Sequence, residues 1–396
     1  MRRALITNEF APSHGGVEHT LHERAKGYQP KTLTVFCPGD KGCEEFDAAQ
    51  PYAVQRTVSD HARSKFWHDV VRSLGPLRAC WRAHGQTPFD LIECGQAFPA
   101  ALFAWLMHRV RGTPYMVWVH GNDLLGPARY WPLRLALRRA LGSAAAIISN
   151  SSYTANIVAS FGVPAQRIRI LPPSIDTVRF HPAPGSPILR DRYRVRDRRV
   201  ILTVGRLVER KGVDLTLAAL ARVIATHKDV LYLIVGDGPQ RAELEVLAWN
   251  LGIREHVVFC GAVAAEELSA HYHLASIFVM PSRYVAKEGS VEGLGLVYLE
   301  AMASGVPIIA GRSGGVTEIV HAEKTGLVVD PGSIGDLADA ILRLLSDDDL
   351  VERLVRNGLD FVKQPRSWRV LDVVDPSGTE HGMERQTDIQ SSAGDK

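Results

Sequence analysis

The sequence predicts an α/β protein of two doubly wound parallel-sheet domains that face each other across a cleft. Its 396 residues exceed what one ordinary hydrophobic core holds together. Short apolar runs typical of strands alternate with amphipathic stretches of helical period, which is typical of parallel sheets covered on both faces. A segment rich in proline and charge, residues 173–198, separates two such series.

Five strands are predicted in each series. The first series contains RALIT (3–7), TLTVFC (32–37), DLIEC (90–94), YMVWVH (115–120) and AAIISN (145–150). The second contains RVILTVGRL (199–207), LYLIVGDG (231–238), VVFCG (257–261), SIFVMPS (276–282) and VPIIAG (306–311). Helices are predicted between strands, among them 213–226, 239–251 and 333–345. We therefore assign residues 1–177 to the first domain, 178–198 to a linker and 199–363 to the second domain. The polar, unpatterned residues 377–396 are expected to be disordered.

Composition excludes several classes of protein. No apolar run reaches the roughly 18 residues that span a bilayer, and the apolar stretch near the start, ALI, is too short for a signal peptide. The five cysteines are scattered and lack CxxC spacing, which argues against a disulfide framework or a zinc site. We expect a cytoplasmic protein.

Charge is distributed unevenly along the chain. The net charge is +3, yet residues 1–180 carry 21 Lys and Arg against 13 Asp and Glu. The first domain should therefore meet an anionic partner or surface. Nucleic acid is not expected, because no nucleic-acid-binding module is recognisable.

Two strand ends offer groups that suit an anionic ligand. Gly15 and Gly16 follow the first strand and open a helix, where backbone N–H groups can face an anion, although alone the pair fits a plain turn equally well. Arg206 and Lys211 follow strand 199–207, and two cations at one cleft wall suit a diphosphate. Taken alone, they also fit a solvated loop. His120 ends another strand, where a histidine is either structural or faces the cleft.

Two glutamates interrupt the apolar segment VEGLGLVYLEAMASGVPIIA (291–310). A buried carboxylate needs partners, because desolvating the ionised group costs on the order of several kcal/mol. We place Glu292 in a glycine-rich loop near the reacting end of a ligand and Glu300 within the following helix. The N–H groups of Gly295, Leu296 and Val297 begin that helix and can hold phosphate. A ligand with hydroxyl groups for the carboxylates and phosphate for the helix start fits the description of a nucleotide sugar.

Glu292 and Glu300, with seven residues between them, resemble the E-x7-E signature of retaining glycosyltransferases of family 4, which have the GT-B fold of two Rossmann-like domains. The resemblance extends over residues 3–345 and includes GGVE, HGND, LPPSIDTVRFHP, VGRLVERKG, GDGP, EGLGLVYLEAMASGVPIIAGRSGGVTEIV and TGLVVDPGS. It implies transfer of a hexose from a nucleotide-diphosphate sugar to a hydroxyl group of a glycan, lipid-linked or small-molecule acceptor.

The resemblance also implies a role for each donor residue. Glu300 would bind the ribose hydroxyls and Glu292 the donor sugar. Arg206 and Lys211 would hold the diphosphate and stabilise it as it leaves. The second domain would therefore carry the nucleotide sugar, and the first the acceptor.

Gly16 and the backbone of Leu296 and Val297 would complete the phosphate site, and His120 would contact the donor sugar beside the reacting carbon. The family needs no metal or other cofactor, because cations and helix termini replace it. We interpret the acidic run Asp347–Asp349 as a helix cap rather than a metal site. Retention would follow from front-face substitution, so the glutamates are not a glycosidase pair.

Donor and acceptor are less specified. The loop RYVAKEGSVEGLG most resembles the phosphatidylinositol-mannoside mannosyltransferases, which favours GDP-mannose, while UDP-glucose, UDP-galactose and UDP-N-acetylglucosamine stay open. Segments 61–85 and 128–142 mix Arg and Lys with Trp, Phe and Leu, so they are either ordinary amphipathic helices or a peripheral contact with an anionic membrane.

Two departures from the family are Ser174, where relatives usually have glycine, and residues 364–376, where Pro365 and Pro376 bound a short crossing helix. Alternative functions are a non-catalytic nucleotide-sugar-binding subunit, an epimerase and a phosphorylase. The charged cleft residues argue against the non-catalytic subunit, and the length of the chain argues against a phosphorylase. Release of free nucleoside diphosphate without an acceptor product would distinguish the epimerase from a transferase.

Overall fold

The computed structural model describes residues 1–13, 15–39, 42–58, 65–173 and 175–364, with the backbone alone for 65–69. Within them the first domain forms a seven-stranded parallel sheet in the order β3-β2-β1-β4-β5-β6-β7. The strands are β1 (Arg3–Ile6), β2 (Leu33–Pro38), β3 (Ala53–Thr57), β4 (Leu91–Cys94), β5 (Tyr115–Val119), β6 (Ala146–Ser149) and β7 (Ile168–Ile170). The helices are α1 (Gly16–Lys26), α2 (Cys43–Ala48), α3 (Lys65–Gln86), α4 (Leu102–Arg111), α5 (Asn122–Ala128), α6 (Trp131–Ser143) and α7 (Ser152–Ala159).

The second domain forms a six-stranded parallel sheet in the order β10-β9-β8-β11-β12-β13. Its strands are β8 (Arg199–Val204), β9 (Val230–Val235), β10 (Val257–Gly261), β11 (Ile277–Met280), β12 (Ile308–Gly311) and β13 (Leu327–Val329). The helices that follow α7 are α8 (Pro187–Arg192), α9 (Val213–Val223), α10 (Arg241–Asn250), α11 (Ala265–Tyr272), α12 (Leu296–Ala303), α13 (Ile334–Ser346) and α14 (Asp348–Lys363).

Each sheet has a hydrophobic core on both faces. Val117 and Trp118, neighbours on β5, belong to different cores, since successive side chains of a strand point to opposite faces. Ile201 and Leu202 on β8 divide in the same way. Central strands such as β9 are therefore buried along their whole length, as the continuous apolar runs predicted.

The predicted fold class is confirmed, and all ten predicted strands form. Three strands were not predicted: β3, β7 and β13. Each of them forms an edge of its sheet, and two have only three residues. An edge strand pairs on one side only, so it has less apolar surface to bury and a weaker sequence pattern.

The predicted linker packs on the second domain. Phe180, Leu189 and Val195 are buried in the core beside Leu202, so this segment is part of the second domain's structure. The domain boundaries stay predictions. Three predictions fall outside the described residues. They concern Ser174, the crossing helix expected over 364–376, of which only Gln364 is described, and the tail 377–396.

The strand order places a switch point in each sheet. The chain leaves β1 towards one side and β4 towards the other, and β8 and β11 do the same in the second sheet. The loops after these strands diverge and leave a crevice at the carboxyl edge, where doubly wound folds bind ligands. In the described part of the chain no helix is both long and apolar enough to cross a membrane.

Candidate active site

The loops after β8 and β11 meet at the switch point of the second sheet. After β8 a short turn over Glu209–Lys211 carries Lys211, and after β11 the loop before α12 carries Glu292. The Nζ atom of Lys211 lies 2.8 Å from Oε2 of Glu292. Both side chains are 9% exposed. Two of the predicted site residues therefore form a buried ion pair.

Arg210 is a second cation on the same carboxylate, and the sequence analysis missed it. Its Nη1 donates to Oε2 of Glu292, and Ser282 Oγ donates to that oxygen at 3.5 Å. Burial by itself would raise the pKa of Glu292. The charges and hydrogen bonds of Arg210 and Lys211 outweigh burial and lower this pKa to about 2. Glu292 is thus an ionised carboxylate with Oε1 outside this cluster of contacts.

For the pKa of Lys211, burial outweighs the neighbouring charges. Burial lowers its pKa, and the neighbouring charge of Glu292 only partly restores it. A second anion beside Lys211, such as a phosphate, would stabilise its charge further. The ammonium group is therefore suited to exchange part of its interaction with Glu292 for an anionic ligand.

Glu300 meets a hydroxyl group rather than a cation. Tyr272, fully buried at the end of α11, donates from its OH to Glu300 Oε2 at 2.6 Å. Burial raises the pKa of Glu300, while the hydrogen bond from Tyr272 and the charges of Arg179 and Lys211 act against it. The charge of Lys211 thus lowers the pKa of both glutamates.

The start of α12 lies beside these groups. Gly295 precedes the helix with φ of 90°, a conformation that favours glycine, and a Cβ there would lie 2.6 Å from the ring of Tyr298. The helix begins at Leu296, as predicted. Its first N–H groups, including that of Val297, lack partners within the helix and can face an anion.

The start of α1 approaches the same place from the first domain. A Cβ on Gly16 would lie 3.3 Å from Cδ1 of Leu296, so the two helix starts are adjacent across the cleft. Gly15 is exposed, and a Cβ there would lie 2.2 Å from Oε2 of Glu18. The carboxylate of Glu18 thus occupies the side of α1 at Gly15, and an anion would approach at Gly16.

His120 follows β5 in the first domain. Its Nε2 lies 3.0 Å from the carbonyl oxygen of Gly95, which can only accept, so Nε2 carries a proton, and in the neutral ring Nδ1 is then the acceptor. Asp123 accepts from the backbone N–H groups of His120 at 2.9 Å and Ala97 at 2.7 Å. The HGND turn is therefore held in place by the hydrogen bonds of Asp123, and the contact with Gly95 fixes the proton of His120 on Nε2.

Arg206 is more exposed than the other predicted cation, Lys211. It is exposed just beyond β8, whereas Leu207, next in the chain, is buried in the core. Among the described residues no hydrogen bond or ion pair joins Arg206 to the Glu292 cluster. The expected pair of cations on one wall is thus one buried lysine and one exposed arginine.

The acidic run near the end of the second domain is a cap, as interpreted. Asp347 accepts from the N–H of Leu350 at 2.9 Å at the start of α14. Among the described residues no group of three His, Cys, Asp or Glu side chains is arranged to hold a metal ion. All five cysteines are free thiols.

Two family models match the chain, one for each domain. The model of Glycosyltransferase Family 4 matches residues 14–179, and that of Glycosyl transferases group 1 matches residues 187–361. A GDP-mannose-dependent alpha-(1-6)-phosphatidylinositol monomannoside mannosyltransferase from Mycobacterium tuberculosis is 36% identical over 93% of this chain and 96% of its own. The protein of the same name from Mycolicibacterium smegmatis is 38% identical over 92% and 94%.

The chain belongs to the family 4 glycosyltransferases. A sucrose-phosphate synthase from Thermosynechococcus elongatus has the same fold, with a TM-score of 0.77 and 24% identity over 93% of this chain and 96% of its own. The GT-B architecture expected from the sequence is thus confirmed, and the chain is a glycosyltransferase.

This family 4 glycosyltransferase contains two site residues that sequence reasoning passed over. Arg210 was detectable, since it directly precedes Lys211 in the turn that carries the cations. Tyr272 was not, because it lies 28 positions before Glu300 and only the packing of α11 on α12 brings its OH to that carboxylate.

Proposed function

We propose that this glycosyltransferase moves a mannosyl group from GDP-mannose to a hydroxyl group of a lipid-linked acceptor of the phosphatidylinositol mannoside class. The observation that carries the proposal is the cluster of Lys211, Arg210 and Glu292 at the switch point, where a sugar diphosphate would bind. The choice of GDP-mannose rests on two mycobacterial relatives whose names state that dependence, at 36% and 38% identity along nearly the whole chain.

The diphosphate would lie between Lys211, Arg206 and the start of α12 from Gly295 to Val297, with Gly16 closing the other side. Its charge would draw Lys211 away from Glu292. Arg210 would then remain as the partner of Glu292 and keep that buried carboxylate ionised. The ligand therefore replaces one interaction of Lys211 with another instead of leaving a charge unpaired.

The nucleoside and the sugar would be bound by carboxylates. Tyr272 engages only Oε2 of Glu300, which leaves Oε1 to accept from the ribose hydroxyls. Oε1 of Glu292 would likewise accept from the sugar hydroxyls, and Nδ1 of His120 from a hydroxyl beside the reacting carbon. Hydroxyl donors suit these groups, since each is an acceptor held by neighbours.

We propose retention of configuration by front-face substitution. The bond between the anomeric carbon and the phosphate oxygen breaks, and the acceptor oxygen bonds to the same face of that carbon. The acceptor proton passes to the departing phosphate oxygen. Lys211, Arg206 and the start of α12 would stabilise the charge that develops on the leaving diphosphate, so no metal or other cofactor is part of the proposal.

The acceptor side would be the first domain at the cytoplasmic face of a membrane. Between Asp123 and Asp176 the chain has six arginines and no acidic residue. Tyr130 and Trp131 are 56% and 76% exposed at the start of α6, and Leu135 is 42% exposed one turn later. Aromatic and basic side chains together suit the interface of an anionic bilayer.

The donor is tested by thermal unfolding of the purified protein with GDP, UDP, ADP, GDP-mannose, UDP-glucose and UDP-N-acetylglucosamine, with and without EDTA. A ligand at a hundredfold excess over its Kd stabilises the folded state by about 2.7 kcal/mol. We expect the guanine nucleotides alone to raise the Tm, equally with EDTA. A preference for uridine nucleotides would overturn the donor, and an EDTA-sensitive shift would overturn metal independence.

Transfer itself is tested with GDP-mannose and phosphatidylinositol mannoside in micelles, followed by NMR of the new linkage. We expect an α-linked product, as in the donor. GDP release without a glycosylated product would contradict transferase activity toward this acceptor class, and binding without any turnover would favour the non-catalytic alternative.

The membrane contact is tested by co-sedimentation with vesicles of phosphatidylcholine containing phosphatidylserine. We expect Trp131→Ala and the pair Arg134→Gln with Arg138→Gln to weaken binding, the pair by roughly thirtyfold at about 1 kcal/mol per arginine. Trp249→Ala is the matched control, because Trp249 is 73% exposed on the second domain. Equal losses for Trp131→Ala and Trp249→Ala would contradict the assignment.

A further inference from the structure

The proposed chemistry leaves unused one acidic residue of the motif SGGVTEIV. Glu318 ends a short turn over Gly314–Glu318 in the second domain. Its Oε2 accepts from the backbone N–H of Ser152 at 2.7 Å, and its Oε1 from that of Tyr153 at 2.8 Å. Both N–H groups belong to the first turn of α7 in the first domain.

This contact completes the cap of α7 from the opposite domain. The first N–H groups of a helix have no partner within it. Ser151 caps the N–H of Thr154 with its side chain at 3.1 Å, and Glu318 takes the N–H groups of Ser152 and Tyr153. A carboxylate at a helix N-terminus is also favoured by the helix dipole.

Further contacts across the cleft surround this cap. Ser151 Oγ donates to the carbonyl oxygen of Gly293 at 2.9 Å, and the N–H of Val291 donates to Asn122 Oδ1 at 2.8 Å. A Cβ on Gly293 would lie 2.3 Å from the carbonyl oxygen of His120, so the backbones are in close contact there. Residues 291–293, which include Glu292, are thereby held against the turn of His120.

We propose that Glu318 is a positioning residue for transfer. By capping α7 it latches the two domains in the arrangement where Glu292 and His120 face the same donor sugar, and it does not itself touch the substrate. The inference rests on the proposed function only in assigning one sugar to both residues. We call this contact the latch: the Glu318 carboxylate on the second domain and the backbone N–H groups of Ser152 and Tyr153 on the first. Each side of the latch can be changed by its own substitution.

Two variants remove the two halves. Glu318→Gln keeps the shape but loses the charge and one acceptor. Ser152→Pro removes a donor N–H at the first helical position, where proline is well tolerated, and Ser151 before it already has the extended backbone that a following proline needs. Glu323→Gln is the matched control, because Glu323 pairs with Arg343 within the second domain.

We expect kcat to fall about tenfold in either latch variant, equivalent to about 1.4 kcal/mol, with the Kd for GDP within about twofold of the wild type. The double variant should lose less than the product of the two separate losses, since both remove one interaction. A large fall in Tm identifies a variant that fails to fold. If one of the two latch variants fails to fold, the kcat of the other tests the proposal.

Hydrogen exchange of the Tyr153 amide and small-angle scattering test the latch without turnover. Faster exchange and a larger radius of gyration in Glu318→Gln support it. Unchanged exchange, an unchanged kcat, or fully multiplicative losses in the double variant overturn it. If the wild type transfers no sugar, the proposed function fails, and exchange and scattering alone decide whether Glu318 holds the domains together.

Discussion

Arg210→Gln removes one of the two cations on Glu292 and leaves a shorter polar side chain in its place. In the wild type the pKa of Glu292 falls from an ordinary 4.5 to about 2, which corresponds to about 3 kcal/mol of favourable interaction on folding. The charge of Arg210 is the largest favourable contribution to this. We therefore expect the variant to lose about 1–2 kcal/mol of stability at neutral pH.

Such a loss should lower the Tm of the second domain by about 2–8 °C, given the usual relation for domains of this size. The sign of the pH dependence follows from the direction of the shift. Because the folded pKa of Glu292 lies below its unfolded value, the stabilisation is complete above about pH 4.5 and disappears as the pH falls towards 2. The difference in Tm should be constant between neutral pH and about pH 5.5 and narrow below about pH 4.5.

Differential scanning calorimetry across this pH range provides the measurement. Arg241→Gln is the control, since Arg241 pairs with Asp237 and Glu245 at 34% exposure and should cost less than about 0.5 kcal/mol. A Tm for Arg210→Gln equal to that of the control at neutral pH would refute the reasoning. So would a difference that persists unchanged in acid, because it would not arise from the charge of Glu292.

Four further substitutions test the remaining residues of the site and of the cleft. Tyr272→Phe removes the hydroxyl that holds Glu300, so calorimetric titration should show GDP binding weakened about tenfold or more, the effect of losing a hydrogen bond to a charged group. Unchanged affinity would contradict that role. Glu300→Ala should mainly raise the Kd for the donor and Lys211→Ala mainly lower kcat; near-normal kinetics in both would exclude this site. Gly293→Ala adds a Cβ that would lie 2.3 Å from the carbonyl oxygen of His120, so scattering should report a more open molecule, and an unchanged radius of gyration would contradict a closed cleft.

The parts of the fold that the sequence predicted are those whose reason is local. Strands β8 and β9 are continuous apolar runs because both faces of a parallel sheet are covered, so their pattern is visible without a partner. The start of α12 was predictable because a glycine pair precedes an apolar helical stretch. β7 and β13 were missed because three residues at a sheet edge carry almost no periodic signal.

The site divides in the same way. The sequence located Lys211 and Glu292 at strand ends and indicated that a buried carboxylate must have a partner. It could not indicate that the partners are Arg210 and Lys211, because the loops that carry them are neighbours only through the pairing of β8 with β11.

By itself the sequence determined that this protein has two doubly wound domains, where ten of the described strands lie and which glycosyltransferase family it belongs to. These properties follow from periodicity, turn residues and motif spacing, which are encoded within short segments. Only the tertiary structure decided which charges pair in the cleft and that Glu318 caps α7 of the other domain. Arg210 lies 82 positions from Glu292, and Ser152 lies 166 positions from Glu318. The free energy of a buried charge depends on the groups around it in space.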